Sequence, residues 1–181
     1  MITEENSISN ILDGLKTLHI PARTIIVHEG MTAPQLYFVR TGAIRIWLNK
    51  GGKDITLQFF FEGEGATVLE SFLYGEQSPF SIETIEACKL SVLPRETFSQ
   101  WIADNTAFKD WFYQTAVQKQ LQHSKRLLSL ITRTPAQRYG DLMKDRPELL
   151  QRVPQQYIAS YLGITPESLS RIRARRTGTV S

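Results

Sequence analysis

The stretch from Val153 to Arg176 reads VPQQYIASYLGITPESLSRIRARR. It predicts two short helices that meet at Gly163, because apolar and small residues recur at helical spacing on both sides of that glycine. Thr165 suits the N-cap of the second helix, and Pro166 suits its first position, where a missing N–H costs nothing. The residues expected to face inward are Ile158, Ala159, Leu162, Ile164, Leu169 and Ile172.

The polar side of the second helix has the layout of a DNA-reading helix-turn-helix. An arginine fork can bond both acceptors of a guanine, and a glutamate can accept from cytosine N4. We therefore expect Arg171 and Glu167 to read bases, Ser168 and Arg175 to assist, and the remaining arginines to hold phosphate. The full predicted DNA-binding set is Thr165, Glu167, Ser168, Arg171, Arg173, Arg175 and Arg176. The alternative is an ordinary helical hairpin with a solvated basic face.

Charge is distributed unevenly along the chain. Residues 1–118 contain 9 Lys/Arg and 14 Asp/Glu, a net charge of −5, whereas residues 119–181 contain 12 and 4, a net charge of +8. The positive half contains the predicted helix-turn-helix, where attraction to DNA phosphates requires it. With 181 residues, 41% hydrophobic and 22% charged, the chain has the composition of a globular protein of one or two domains.

No run of about 18 apolar residues predicts a membrane span, and residues 1–6 lack the pattern of a secretory leader. We expect a cytoplasmic protein without membrane contact. The single cysteine, Cys88, cannot form an internal disulfide and is expected to be a small buried residue in a strand. His19, His28 and His123 do not have zinc-like spacing, so neither a metal nor a cofactor is predicted.

The rest of the chain predicts a strand-rich half followed by helices. Ser7–Leu18 predicts an amphipathic helix that stops at Pro21. Short β-branched and aromatic segments separated by glycine turns then predict an antiparallel sandwich or barrel. These strands are expected at Thr24–Val27, Leu36–Arg40, Ala43–Leu48, Ile55–Phe61, Phe80–Ala87 and Lys89–Leu93, with turns that include Thr41–Gly42 and Lys50–Gly52.

From Arg95 onward the hydrophobic period becomes helical. A helix up to about Asn105 is expected, then an uninterrupted one of about 25 residues, nearly 40 Å long, before Pro135. A helix of that length commonly packs against its own copy in a dimer, although burial against the strand domain would also explain its apolar residues. A further helix is expected at Ala136–Lys144, followed by a short connector at Pro147.

A strand domain, a long helix and a helix-turn-helix, in that order, resemble the Crp/Fnr family of bacterial transcription regulators. Thr165–Arg171 matches the family's recognition-helix pattern at its glutamate and its last arginine, and Arg40–Ala43 and Gly63–Gly65 look like its turns. The resemblance implies an α+β fold. It consists of an N-terminal antiparallel β-roll of the jelly-roll type at residues 1–105, a dimerisation helix at 106–132, and an all-α helix-turn-helix domain at 133–181 without a full wing.

The same resemblance implies a pocket for a small effector. In the family's cyclic AMP binders, a glutamate holds the ribose and an Arg-Ser pair holds the phosphate. Glu70 matches the glutamate, but Ser78–Pro79 occupies the Arg-Ser place. With no guanidinium there, and with Glu76 and Glu83 nearby, tight binding of cyclic AMP is not expected. The candidate pocket residues are Gly65, Glu70, Ser71, Phe72, Ser78, Pro79, Phe80, His123 and Ser124.

Phe72, Phe80 and the neighbouring Tyr74 could line this pocket, but they are expected to be core residues. His123 could contact a ligand, but it is expected to be a solvated residue.

The resemblance implies a homodimeric regulator that binds double-stranded DNA and is not an enzyme. RNA polymerase is a candidate partner, and an unidentified small molecule is a candidate effector. The alternative is a small-molecule sensor whose C-terminal domain binds a protein partner.

Overall fold

The computed structural model describes residues 12–177 of the chain. The strands are β1 (Lys16–Ile20), β2 (Ile25–Val27), β3 (Gln35–Thr41), β4 (Ile44–Lys50), β5 (Lys53–Phe60), β6 (Gly65–Ala66), β7 (Ser81–Thr84) and β8 (Cys88–Pro94). The helices are α1 (Leu69–Tyr74), α2 (Arg95–Asp104), α3 (Thr106–Thr132), α4 (Pro135–Asp145), α5 (Pro147–Arg152), α6 (Gln155–Tyr161) and α7 (Pro166–Thr177).

The chain divides into two compact units. Among the described residues, the first contains residues 12–48 and 58–118, and the second contains residues 49–57 and 119–177. The tip of the β4–β5 hairpin therefore belongs to the same unit as the C-terminal helices. No helix described between residues 12 and 177 is long and apolar enough to cross a membrane.

The strands form two four-stranded sheets, with the orders β1-β8-β3-β6 and β2-β7-β4-β5. The registered pairs β1–β8, β3–β8, β3–β6, β2–β7 and β4–β7 are all antiparallel. The turn after β3 requires Gly42, which has a φ of +100° and whose Cβ, if present, would lie 2.6 Å from the Cys88 sulfur. Cys88 itself is buried in β8, as predicted.

An aromatic cluster closes the core of the first unit. Phe98 of α2 packs edge-on against Phe72, Phe108 and Phe112, with ring centroids 4.8–5.9 Å apart. Each such edge-to-face pair stabilises the fold by about 0.5–1.5 kcal/mol beyond the contribution of the buried apolar area. Because Phe108 is fully buried and Phe112 also packs on this core, the N-terminal part of α3 is held by the first unit.

A buried ion pair joins neighbouring strands β4 and β7. The Arg45 guanidinium donates from Nε and Nη2 to Oε2 of Glu83 at 2.8 and 2.6 Å. The guanidinium carbon also lies 4.8 Å from the ring centre of Trp47. The two side chains are 2% and 11% exposed, so each charge depends on the other for compensation.

The second unit contains a helical core. Thr134 and Gln137 form a capping box at the start of α4, in which each side chain satisfies the other residue's backbone amide. The residues that fill this core share near-complete burial and come from α4 to α7: Tyr139, Leu142, Leu149, Val153, Ile158, Ala159, Leu162 and Leu169.

The predicted α+β fold class is confirmed. All six predicted strands are present with shifted ends, and so are the helices at 95–105, 106–132 and 136–144. Two predictions of secondary structure were wrong. Residues 16–18, expected in a helix, belong to β1, because Lys16–Ile20 pair with β8. The expected connector at Pro147 is the helix α5. The part of the Ser7–Leu18 helix before Leu12 lies outside the described residues.

The buried pair predicts a specific pattern of stabilities. Arg45→Met should lower the free energy of unfolding by about 3 kcal/mol, because it leaves the Glu83 carboxylate without a counter-charge. The double variant Arg45→Met/Glu83→Leu should recover most of that loss. Urea unfolding followed by circular dichroism measures both, with the exposed Arg23→Met as control. A double variant no more stable than Arg45→Met would contradict this prediction.

Candidate nucleic-acid interface

The direction of α7 is set by the turn that precedes it. Helix α6 ends in a Schellman motif, in which the amide of Gly163 donates to the Ser160 carbonyl and that of Ile164 to the Ala159 carbonyl, each at 3.0 Å. Gly163 has a φ of +68°, a left-handed conformation that glycine adopts without strain. The predicted glycine turn is therefore confirmed.

Helix α7 begins as the sequence predicts. The Ser168 amide donates to Oγ1 of Thr165 at 3.3 Å, which is an N-cap contact to the third helical residue. Leu169 is 1% exposed and anchors the inner face, whereas Ile164 and Ile172 are only half-buried. The cap and the buried leucine together fix which face of α7 remains in solvent.

That solvent face has the predicted acceptor and cations. Glu167 and Arg171 lie one turn apart and are exposed, and Nη2 of Arg171 donates to the Ser168 hydroxyl at 3.3 Å. Arg173 and Arg175 are exposed as well, while the side chain of Arg176 lies outside the described residues. The predicted interface residues are therefore brought to one short, capped helix, and their role in DNA binding stays a prediction.

The carboxyl group of Glu167 is kept ionised. A hydrogen bond from the Thr165 side chain, with support from the backbone amide and the charge of Arg171, lowers the pKa of Glu167 below its usual range. An ionised carboxylate only accepts hydrogen bonds, which suits the amino group of cytosine rather than a carbonyl.

Sequence reasoning missed the contacts that hold α6 in place. The Ser160 hydroxyl donates to the Asp54 carbonyl at 2.7 Å and accepts from the Thr56 amide at 2.9 Å. Nη2 of Arg126 donates to the Tyr161 carbonyl at 2.9 Å, and the guanidinium lies 4.2 Å from the ring centre of Tyr161. The hairpin contacts join residues more than 100 positions apart, so no local pattern could have indicated them.

The predicted effector residues lie in different environments. The Ser71 hydroxyl bridges the Ala33 amide and the Glu76 carbonyl, and the Ser78 hydroxyl donates to the Phe80 carbonyl. Both hydroxyls therefore hold the local loop together. Glu70 and Pro79 are exposed, Phe80 is half-buried, and Gly65 lies in β6 against Phe38.

The expected core placement is correct for one aromatic residue and wrong for another. Phe72 is fully buried and packs on Phe98, which leaves it no surface for a ligand. Tyr74 is 75% exposed because it is the last residue of the six-residue helix α1 and points away from the core.

The electrostatic surroundings of this segment also differ from expectation. Glu83 does not present a free negative charge, since Arg45 pairs with it. A guanidinium does reach the Glu70–Phe80 segment, because Nη2 of Arg95 donates to the Ser71 carbonyl at 2.9 Å. No sequence pattern indicated Arg95, which lies beyond the predicted pocket residues of the first unit.

His123 and Ser124 lie on α3 in the second unit, so their part in an effector pocket stays a prediction. Burial, Arg126 and Lys119 lower the pKa of His123, which favours its neutral form. Within residues 12–177, histidine, cysteine and acidic side chains form no group of three that could hold a metal ion.

Known proteins resemble this chain in part of its sequence and in its overall fold. The family model of the cyclic nucleotide-binding domain matches residues 17–105. The c-di-GMP-responsive global regulator CLP of Xanthomonas campestris superposes with a TM-score of 0.74 at 20% sequence identity, and the match covers 97% of this chain and 92% of the CLP chain. FixK2 from Bradyrhizobium japonicum has a TM-score of 0.78 at 18% identity, and the match covers 91% of this chain and 85% of the FixK2 chain. No curated protein sequence matches the chain.

A transcriptional regulator assigned to the Crp/Fnr family, from Eubacterium rectale, has a TM-score of 0.70 at 19% identity, covering 98% of this chain and 85% of its own. The chain thus shares the fold of these proteins, with an antiparallel N-terminal domain, a long helix and C-terminal helices. Residues 17–105 match the family model of the cyclic nucleotide-binding domain, and the predicted resemblance to the Crp/Fnr regulators is confirmed at the level of the fold.

Proposed function

We propose that this protein is a homodimeric, sequence-specific DNA-binding transcription regulator of the Crp/Fnr type. The observation that carries the proposal is the exposed face of α7, where Glu167, Ser168 and Arg171 lie together on a helix whose opposite face is anchored by Leu169. The net charge of +8 over residues 119–181 supports attraction to phosphate. The regulators that share this fold support a sensing and binding role rather than catalysis.

The C-terminal part of α3 supports the homodimer. Val117, Leu121, Leu128 and Ile131 are 50–75% exposed, and with Ser124 they repeat at alternating intervals of four and three residues. That spacing is the seam of a two-stranded coiled coil, and large apolar side chains on it are stabilised by burial against a second copy. Two-fold symmetry would then place two α7 helices about 34 Å apart, on successive major grooves of a palindromic site.

We further propose that the sensor domain does not bind cyclic AMP tightly. No arginine occupies the Ser78–Pro79 place, and the Arg45 guanidinium of this unit is neutralised by the Glu83 carboxylate. A regulator with this fold, CLP, is described as responsive to c-di-GMP, which supports an effector other than cyclic AMP. The cytoplasmic location, the contact with RNA polymerase, and the three-part division at residues 105 and 132 remain predictions.

Arg171→Ala should weaken binding to the selected DNA site by about 1–3 kcal/mol and relax the preference at one base pair, because a bidentate contact to guanine is lost. Binding-site selection from a random duplex library, followed by fluorescence anisotropy, measures both effects. Arg23→Ala removes an equal charge from an exposed position outside α7 and should leave the consensus unchanged. If Arg171→Ala and the parent selected the same consensus sequence, the base-reading role of Arg171 would be contradicted. If the parent enriched no DNA site at all, the proposed function would be contradicted.

Replacing Leu121 and Leu128 together by glutamate should convert the dimer into a monomer, because like charges would face each other across the seam. Light scattering coupled to size-exclusion chromatography gives the mass directly. The control is Gln118→Glu, which adds a charge on α3 beside the seam and should leave a dimer. A monomeric parent, or a dimeric double variant, would contradict the proposed interface.

Isothermal titration of the full chain with cyclic AMP should show no tight binding, since the phosphate would meet no free guanidinium at Ser78–Pro79. The variant Pro79→Arg, which supplies that group, should bind more tightly than the parent. Tight binding of cyclic AMP to the parent would overturn this part of the proposal.

A further inference from the structure

An open cavity of about 740 Å³ lies within the second unit, between the C-terminal part of α3, helix α4 and the turn after α6. Its volume falls in the range of about 300–1,000 Å³ that is usual for small-molecule sites. Leu130, Leu142 and Leu162 contribute apolar surface to its wall. The cavity is formed by neither the predicted effector residues of the sensor domain nor the DNA-reading face of α7.

The wall of this cavity is strongly basic. Two carboxylates, Asp141 and Asp145, lie on it, and Arg133 approaches Asp141 at 3.5 Å. Arg146 is paired with Glu148 at 2.8 Å. The cations on the wall outnumber its acids by six to two: Lys125, Arg126, Arg133, Arg138, Lys144 and Arg146.

Two of these cations are positioned without being neutralised. Arg126 donates to the carbonyls of Tyr161 and Thr56 at 2.9 and 3.3 Å, and Arg138 donates to those of Leu162 and Arg133 at 3.0 and 2.6 Å. Neither guanidinium meets a carboxylate among the described residues. Carbonyl oxygens orient a guanidinium but do not cancel its charge, so both cations remain available to an anion.

The two guanidiniums lie at the same turn, because they donate to the carbonyls of consecutive residues, Tyr161 and Leu162, and both residues line the cavity. Burial lowers the pKa of Arg126, because desolvation disfavours the charged form of a guanidinium. A bound anion would offset that cost, whereas a neutral ligand would not.

We propose that this cavity binds a small organic anion, whose phosphate or carboxylate group lies between Arg126 and Arg138 and whose apolar body packs on Leu130 and Leu142. A phosphate and a carboxylate both offer the paired acceptor oxygens that a planar guanidinium fork fits. Lys125 and Lys144, both exposed at the cavity wall, attract the anion without fixing its orientation.

The test is isothermal titration of the full chain without DNA, so that its outcome is independent of the proposed DNA binding. Adenosine monophosphate probes the phosphate form and 1-naphthoate the carboxylate form, each being an anion on a flat ring. We expect at least one probe to bind, and Arg138→Gln to weaken that binding by at least about tenfold, the effect of losing one charged hydrogen-bonding partner. Arg23→Gln, a matched change at an exposed site in the first unit, should have no effect.

Two further variants keep the test decisive if Arg138→Gln disturbs the turn at Leu162. Lys144→Gln changes only an exposed side chain and should weaken binding by about twofold to fivefold, as expected for a solvated charge. Ser129→Trp places an indole ring at the cavity wall and should abolish binding. Circular dichroism confirms that each variant is folded. Failure of both probes to bind, or binding that Ser129→Trp and Arg138→Gln leave unchanged, would overturn the proposal.

Discussion

The guanidinium of Arg126 makes the contacts that connect the helices of the second unit to the β4–β5 hairpin. It lies over the Tyr161 ring and donates to the Tyr161 carbonyl and to the Thr56 carbonyl at the hairpin tip. One side chain of α3 thus joins the end of α6 to a β-hairpin that is remote in sequence. Because α6 ends there in the left-handed turn at Gly163, this contact lies directly before the turn that leads into α7. The exposed face of α7, which we propose reads DNA, therefore follows a helix held by a residue outside the predicted helix-turn-helix.

The Arg45 site and the Arg126–Arg138 site compensate positive charge in different ways. In the first unit Arg45 is matched by the Glu83 carboxylate, and the pair is nearly excluded from solvent. In the second unit Arg126 and Arg138 meet only carbonyl oxygens. A neutralised pair fixes strand positions and has no remaining charge for a ligand, whereas a cation held by carbonyls keeps its charge. This contrast makes the cavity beside α4, rather than the Ser78–Pro79 segment, the stronger candidate for an anion.

The errors of the sequence interpretation have a common physical cause. Leu15 and Leu18 fit helical spacing, yet residues 16–20 form β1 because pairing with β8 satisfies their backbone groups. Arg95 lies next to Ser71 although 24 positions separate them. Tyr74 has an aromatic side chain, but it is the last residue of a six-residue helix and is 75% exposed. In each case a contact distant in the sequence, or the end of an element, outweighed the local pattern.

The sequence by itself determined the class of fold, the glycine turn, the Thr165 cap and the single face shared by Glu167 and Arg171, because each follows from backbone preference or spacing within a few residues. Only the tertiary structure decided which arginines are neutralised. It paired Arg45 with Glu83, placed Arg126 and Arg138 at one turn, and left one seam of α3 exposed. Charge compensation depends on distances across the fold, and a sequence records only the order of residues along the chain.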